Sequence, residues 1–223
     1  MILQNQAEWD QLLLEAEKLD PKAQYEVGQG YDWGIMVDEV ELVVQDKEKA
    51  YFWYRKSSEN GNIEATVRLA DYLSEGEGCE QDIDQAIELY QRVIAEGSSI
   101  AAFNLGTIYR DQGEYVKAYQ SYSLASRLSG VVEIQVGYCQ YYGVGAEQNR
   151  TAAYQTFKKV SEDESNQSPY DRDQANYYLG KMYLEGEVVD RSISMAKMYL
   201  NQANTDDDHD LARDLLFIIG TGL

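Results

Sequence analysis

One stretch decides the fold: KAYFWYRKSSENGNIEATVRLADYLSEGEGCEQDIDQAIELYQRVIAEGSSIAAFNLG, residues Lys49 to Gly106. Shifted against itself by 36 residues without a gap, it brings like residues into register. The matched positions are Ala50 and Ala86, Trp53 and Leu89, Tyr54 and Tyr90, Gly61 and Gly97, and Ala65 and Ala101. A single helical pair cannot bury its own apolar stripe, so repeats of this length stack on their neighbours to build a continuous core. The sequence therefore predicts an all-α solenoid of paired helices.

The same pattern continues on both sides of this stretch and predicts one solenoid domain over residues 1–223. About five two-helix repeats are expected over residues 21–203, with capping helices in residues 1–20 and 204–223. The second repeat is the most regular, with helix A over Ile63 to Glu75, a turn at Gly76-x-Gly78 and helix B over Ile83 to Glu96. One alanine of each helix B is expected to occupy an equivalent interior position: Ala50, Ala86, Ala118, Ala153 and Ala196.

Three segments depart from this regular pattern. The first repeat carries an insertion around Val40 to Val44, for which a short extended piece and a packed loop both remain open. A polar, acidic link near Asp163 predicts a surface loop or a local hinge. The segment from Asp206 to Gly220 predicts a C-terminal helix whose first turn holds aspartates, which suit the positive end of the helix dipole.

Composition and charge narrow the classes of partner and the cellular compartment that we expect. The formal net charge of −20 disfavours nucleic acid and anionic membranes and favours a basic protein or peptide. Cys79 and Cys139 lie far apart in the chain, outside any metal-type spacing, so both are expected to be reduced and structural. The N-terminal residues resemble no secretory signal, and no segment approaches the apolar length of a membrane span. These features predict a cytoplasmic protein.

The second repeat closely resembles the Sel-one-like repeat. The resemblance rests on Leu69, Gly76, Gly78, Asp82, Ala86, Leu89, Tyr90, Gly97 and Ala101 at their spacing. The third repeat, with the short turn Asp111-Gln112-Gly113-Glu114, is more similar to a tetratricopeptide repeat. The resemblance implies a right-handed helical solenoid that binds proteins or peptides, commonly as a bacterial adaptor, regulator or chaperone-like module without enzymatic activity. Ala70 departs from the pattern, which has glycine there, and the cysteine pairs of secreted members are absent.

The residues that could carry chemistry have simpler explanations. His209 lies in Asp-Asp-Asp-His-Asp, where consecutive aspartates at a helix start fan outwards and favour helix capping over metal binding. Carboxylate pairs are inevitable in a chain with 39 acidic residues. The Gly-x-Gly turns lack the spacing and the lysine of a phosphate loop, and a single histidine leaves no serine or cysteine triad. The sequence thus predicts no enzyme, no catalytic residue, no metal and no cofactor.

The inner surface of the solenoid is the candidate site, because helix A residues line the concave face of such repeats. Aromatic residues anchor interfaces since they bury a large area at low entropic cost. The alternative for each tyrosine is that it packs between repeats. The predicted partner-binding residues are Tyr25, Glu26, Asp32, Trp33, Arg68, Asp71, Glu75, Phe103, Asn104, Asp111, Tyr138, Tyr141, Tyr142, Tyr177 and Tyr178.

The leading hypothesis is a non-enzymatic interaction module that captures a basic protein or peptide on an acidic, aromatic concave face. One form of it is a bacterial immunity or antitoxin protein that neutralises a cationic toxin. The alternative within the class is a regulatory adaptor or scaffold in a multiprotein assembly. From other classes come a carboxylate- or metal-dependent hydrolase and a structural module that associates with itself end to end.

Overall fold

The computed structural model describes residues 5–131 and 133–221. The chain divides into two compact units, the first ending at Ile108 and the second beginning at Tyr109, with the boundary inside one helix. Six helices and one hairpin begin within the described residues of the first unit. These are α1 (Gln6–Glu17), α2 (Pro21–Trp33), β1 (Ile35–Val37), β2 (Val40–Val43), α3 (Lys47–Glu59), α4 (Ile63–Glu75), α5 (Ile83–Ala95) and α6 (Ser99–Asp111), of which α6 crosses the boundary.

The second unit continues with helices alone among its described residues. They are α7 (Tyr115–Ser129), α8 (Ile134–Tyr142), α9 (Arg150–Glu162), α10 (Pro169–Glu185), α11 (Ile193–Ala203) and α12 (Asp210–Thr221). Helices α2 and α3, α4 and α5, α8 and α9, and α10 and α11 pack as pairs, as a two-helix repeat requires. The predicted helical repeat fold is confirmed. That the whole chain forms one domain stays a prediction.

Equivalent residues fill the interior of each repeat. The predicted alanines Ala50, Ala86, Ala118, Ala153 and Ala196 are all buried, with at most 2% of their surface exposed. Four residues further along each helix B lies a large buried side chain: Tyr54, Tyr90, Tyr122, Phe157 or Leu200. The helix A glycine of a repeat faces this side chain, since a Cβ on Gly137 would lie 2.6 Å from the Phe157 ring. The small and large residues of the repeat thus fit each other across the helix pair.

In the second and fourth repeats, the Gly-x-Gly turn contacts the repeat before it. Gly78 and Gly145 have φ angles of +64° and +74°, a region that favours glycine. A Cβ on Gly78 would overlap the backbone at the start of α3, and one on Gly145 would overlap the Tyr115 carbonyl at the start of α7. The second glycine of the turn is therefore required by contact as well as by conformation.

The insertion in the first repeat is a β-hairpin, which decides between the two alternatives for Val40 to Val44. Strands β1 and β2 are antiparallel, and the turn residues Asp38 and Glu39 both have positive φ. Positive φ at both central residues is the geometry of the tightest hairpin turns. Val43 is buried against α1 and α2, whereas Met36 and Val40 are exposed.

Helices α1 and α12 lie at the two ends of the described chain, and their role as capping helices stays a prediction. Trp9, Leu12 and Ala16 of α1 are buried in a cluster with residues of α2. The C-terminal helix begins at Asp210 and not at Asp206, so the prediction that several aspartates share its first turn was wrong. The Ala212 N–H instead donates to His209 Nδ1 at 3.3 Å. Near Asp163 the link is a short turn, in which the Asn166 N–H donates to the Asp163 carboxylate before α10 begins.

Candidate partner-binding site

A buried carboxylate lies at the C-terminal end of α2. The Asp32 side chain is fully buried, and its Oδ1 accepts hydrogen bonds of 2.6 Å from Lys47 Nζ and Tyr72 OH. Its Oδ2 accepts from Arg68 Nη2 at 2.5 Å and from Tyr54 OH at 2.9 Å. Burial raises the pKa of Asp32, but these hydrogen bonds outweigh burial and lower the pKa to about 2. Asp32 is therefore an anion whose charge is compensated inside the first unit.

Arg68 connects this carboxylate to a second one, Asp71. Arg68 Nη1 lies 3.2 Å from Asp71 Oδ2. Asp71 Oδ1 also accepts from Tyr90 OH at 2.5 Å and from Asn104 Nδ2 at 2.8 Å. Burial raises the pKa of Asp71, against the lowering effect of Tyr90, Arg68 and Asn104. We call Asp32, Lys47, Tyr54, Arg68, Asp71 and Tyr72 the carboxylate cluster.

The carboxylate cluster corrects one expectation about the acidic surface. Asp32 was predicted to face a partner, but it has no exposed surface, because α3 and α4 enclose it with their donors. Arg68 and Asp71 keep part of their side chains accessible, at 30% and 18%, but they bond to each other. These three charges stabilise the packing of α2, α3 and α4 and leave little negative charge for a partner.

The other predicted residues of the first unit vary in exposure. Trp33 is 64% exposed and Glu75 is exposed. Tyr25 is half-buried, with its ring centroid 5.7 Å from that of Tyr54, and Glu26 lies 3.8 Å from Lys22. Phe103 and Asn104 are half-buried on α6. Asp111, in the second unit, is exposed and paired with Arg110 at 2.8 Å.

An aromatic cluster occupies the equivalent helices of the second unit. Tyr178 of α10 stacks on Phe157 of α9, with ring centroids 4.8 Å apart and planes at 17°. Its ring also meets the rings of Tyr138 and Tyr141 at 5.3 and 5.2 Å. The Tyr178 and Tyr142 hydroxyls lie 2.8 Å apart. Four of the predicted tyrosines thus come together; we call these five residues the tyrosine cluster.

The members of the tyrosine cluster differ in accessibility. Tyr141 is 1% exposed, so the expectation that it lies on an accessible surface was wrong; it packs between α8, α9 and α10. Tyr142 is 53% exposed, and Tyr138 and Tyr178 are half-buried. Tyr177, also half-buried, stacks on His209 with centroids 5.0 Å apart. Tyr142 is therefore the member most open to a partner.

Two acidic side chains lie near the tyrosine cluster: Asp171, whose charge acts on Tyr138, and Glu133, which is close to Asp171. Burial, followed by the charge of Asp171, raises the pKa of Glu133. Burial, Tyr170 and Asp171 raise the pKa of Tyr138. Among the described residues, neither Glu133 nor Asp171 forms an ion pair. Glu185, by contrast, lies 2.9 Å from Arg150 and 3.8 Å from Lys181. Uncompensated negative charge of this site therefore concentrates at Glu133 and Asp171.

Sequence reasoning missed Lys47, Tyr54 and Tyr72, which hold Asp32, and it missed Glu133 and Asp171. The 36-residue repeat could have indicated the residues that donate to Asp32. Tyr54 and Arg68 donate to Asp32, and the residues 36 positions later, Tyr90 and Asn104, donate to Asp71. The repeat thus conserves a pair of donors around a carboxylate, although the two carboxylates sit at different helix positions. Glu133 and Asp171 occupy none of the inner-face positions from which the site was predicted, so those positions gave no signal for them.

No metal-binding arrangement occurs within residues 5–131 and 133–221, where no three His, Cys, Asp or Glu side chains converge. None of the helices in that part of the chain combines the length and apolar character needed to span a bilayer. The lone histidine has the role that its position suggests, since His209 Nδ1 accepts from the first turn of α12.

Comparison with known proteins identifies the family. The Sel1 repeat model matches residues 21–62, 63–98, 132–159 and 173–208, more than half of the chain, so the chain belongs to the Sel1 repeat family. The matches leave out residues 99–131, which contain the short-turned third repeat. Sel1 repeats are helical protein-interaction modules.

Proteins similar to this chain occur in humans and in bacteria. Human protein sel-1 homolog 2 is 32% identical over 137 residues, which are 59% of this chain and 20% of that protein. The chain thus spans about a fifth of the curated relatives that it matches. A Sel1 repeat protein from Oxalobacter formigenes has a similar structure, with a TM-score of 0.70 and 19% identity over 96% of this chain and 89% of that one. Immunity protein Pa5087 from Pseudomonas aeruginosa gives a TM-score of 0.50 and 19% identity, over 86% of this chain and 67% of that one.

Proposed function

We propose that this chain is a non-enzymatic binding protein that captures a basic protein or peptide through the tyrosine cluster and its acidic neighbours. The observation that carries the proposal is that the tyrosine cluster has an exposed ring, Tyr142, and that Asp171, whose charge acts on Tyr138 of this cluster, and its neighbour Glu133 have no basic partner among the described residues. A lysine or arginine from a partner would supply that charge. Its aliphatic stem would cover the tyrosine rings.

The acidic contact surface thus lies in the second unit and not in the first. In the first unit, Asp32 and Asp71 already accept from Arg68. A partner cation would have to displace that guanidinium from a buried carboxylate, which costs several kcal/mol, on the order of 3 or more. In the second unit, a cation meets carboxylates that repel each other, so its binding relieves that repulsion.

Peptide selection on the immobilised protein tests the proposal directly. We expect peptides enriched from a random library to carry lysine or arginine, and their binding to weaken as salt rises. The double variant Glu133→Gln with Asp171→Asn should lose that enrichment. A matched double variant at exposed positions elsewhere in the second unit, Glu147→Gln with Asp190→Asn, should retain it. Enrichment of acidic or uncharged peptides would refute the proposal.

A bacterial immunity or antitoxin role is a second, narrower candidate. It is favoured by the net charge of −20, which suits a cationic target. The structural similarity to an immunity protein, at 19% identity, supports the fold alone. Such a protein acts in the cytoplasm on a cationic toxin. Co-expression with the products of neighbouring genes tests this role: rescue of growth from one toxic product supports it. Stable association with several unrelated, non-toxic proteins would instead support the adaptor role.

A further inference from the structure

A cavity in the second unit occupies the place that the carboxylate cluster fills in the first. Position by position in the repeat, Arg110 replaces Asp32, Tyr122 replaces Tyr54, and Gln135 replaces Arg68. At the first residue of helix B, Tyr115 replaces Lys47, and on the following helix A, Cys139 replaces Tyr72. All five replacements line one open cavity of about 350 Å³, together with Ala118, Tyr138, Tyr142 and Val144.

The replacements remove the carboxylate that draws the helices together in the first unit. In the first unit, the Asp32 carboxylate draws two tyrosine hydroxyls, a lysine and an arginine around itself. In the second unit, no residue of this set carries a carboxylate, and Arg110 turns to the neighbouring Asp111 at 2.8 Å. The helix faces therefore leave a space where the first unit has an internal ionic network.

The lining defines what could enter this space. Tyrosine rings, Ala118 and Val144 offer apolar and aromatic surface. Gln135 Oε1 is buried without a hydrogen-bond partner, so it is an acceptor that a donor from outside would satisfy. The Arg110 guanidinium on the same wall repels a cationic head group. An aromatic ring that carries a neutral N–H or O–H meets all three conditions.

We propose that this cavity is an anchor site for an indole or phenol side chain of a bound peptide, whose N–H or O–H donates to Gln135. Its volume is within the range of about 300 Å³ and above that is typical of ligand sites. This anchor site adds a pocket to the proposed function, and its assignment to a peptide side chain rests on that function. Tyr138 borders the cavity and is also flanked by Asp171, so an aromatic anchor and a basic neighbour on one peptide would use adjoining surfaces.

Small probes test the cavity without any peptide. Titrations with indole, with indene and with butylammonium are followed by NMR at the Ala118 methyl group. Indene has the shape of indole but lacks the N–H, and butylammonium mimics a lysine side chain. We expect indole to bind about three- to tenfold more tightly than indene, the factor that one neutral hydrogen bond provides. Butylammonium should leave the Ala118 signal unchanged.

Gln135→Leu is expected to abolish the preference of indole over indene, while Gln120→Leu, at an exposed position of α7, should preserve it. Equal binding of indole and indene by the native protein would overturn the inference, as would a response of Ala118 to butylammonium alone. Indole binding without a basic preference in the peptide selection would refute the proposed function and leave the cavity assignment standing. A basic preference without indole binding would support the proposed function and refute the cavity assignment.

Discussion

Arg68 Nη2 of α4 lies 2.5 Å from Asp32 Oδ2 of α2, and this bond joins the first helices of two successive repeats. Tyr54 of α3 and Tyr72 of α4 donate to the same carboxylate. With Lys47 of α3, five polar side chains from three helices thus meet in an interior that the repeat otherwise fills with alanine and aromatic rings. A buried charge of this kind is stable only while its partners are in place.

Replacing Asp32 by asparagine should therefore destabilise the first unit strongly. The change leaves Arg68 and Lys47 without their buried anion, and breaking a buried pair costs about 3–5 kcal/mol. Urea unfolding followed by circular dichroism measures the loss. Glu88→Gln, on the exposed face of α5, is the control and should change stability by less than about 0.5 kcal/mol. Similar stabilities for the two variants would show that the cluster contributes no stability.

The stability that Asp32 provides should depend on pH in a defined window. Its pKa falls from the ordinary 3.8 to about 2 in the folded protein. A depressed pKa means that the contribution is complete above about pH 4 and is lost as the pH falls through about 2. The difference in unfolding free energy between the native protein and Asp32→Asn should therefore shrink between pH 4 and pH 2. A difference that stays constant down to pH 2 would contradict the assigned shift.

Gly145 and Gly113 form a matched pair for testing the turn contact. Their φ angles are +74° and +76°, so an alanine at either position meets the same backbone cost of about 1 kcal/mol. A Cβ at Gly113 meets nothing within 4 Å, whereas one at Gly145 overlaps the Tyr115 carbonyl. Gly145→Ala should thus lower the unfolding free energy by at least 1 kcal/mol more than Gly113→Ala, in the range of overpacking. Equal losses would show that conformation alone selects the glycine.

The regular part of the fold was predictable because each repeat presents the same residues at the same spacing. Helix α4 has the bounds that the sequence predicted, and the interior alanines confirm the register. The hairpin was left open, since a run of β-branched residues around Val40 is compatible with a strand and with a packed loop.

The site was less predictable, because burial at an inner-face position depends on the neighbouring helices. Asp32 and Tyr141 occupy predicted surface positions, yet the helices beside them enclose both. Arg68 and Lys47 lie on two other helices, so the sequence separates them from the carboxylate that they neutralise. Glu133 and Asp171 belong to two different repeats, and only the tertiary arrangement brings them close to each other and Asp171 close to Tyr138.

Gly137 and Phe157 should behave as a coupled pair. A Cβ on Gly137 would lie 2.6 Å from the Phe157 ring, which is fully buried and stacks on Tyr178. Gly137→Ala should therefore destabilise the second unit by about 1–3 kcal/mol. With Phe157→Leu present, the smaller side chain leaves room for the methyl group, and the cost of the alanine should fall by at least 0.5 kcal/mol, roughly the smallest coupling seen between touching residues. Additive losses in this double-mutant cycle would indicate that the backbone moves to accommodate the alanine.

Charge and aromatic contacts at the tyrosine cluster should affect different rate constants for a basic peptide taken from the selection. Long-range attraction by Glu133 and Asp171 accelerates the encounter, so Glu133→Gln with Asp171→Asn should lower the association rate most at low salt.

Tyr142 acts only after contact, so Tyr142→Ala should mainly raise the dissociation rate, by about tenfold for a loss of roughly 1.4 kcal/mol. Surface plasmon resonance over a salt series separates the two effects. Phe217→Ala removes another exposed aromatic ring of the same unit, on α12, and should change dissociation less than Tyr142→Ala does. If the charge variant slowed association equally at low and high salt, its effect would not be electrostatic, and the acidic residues would have no part in attracting the partner.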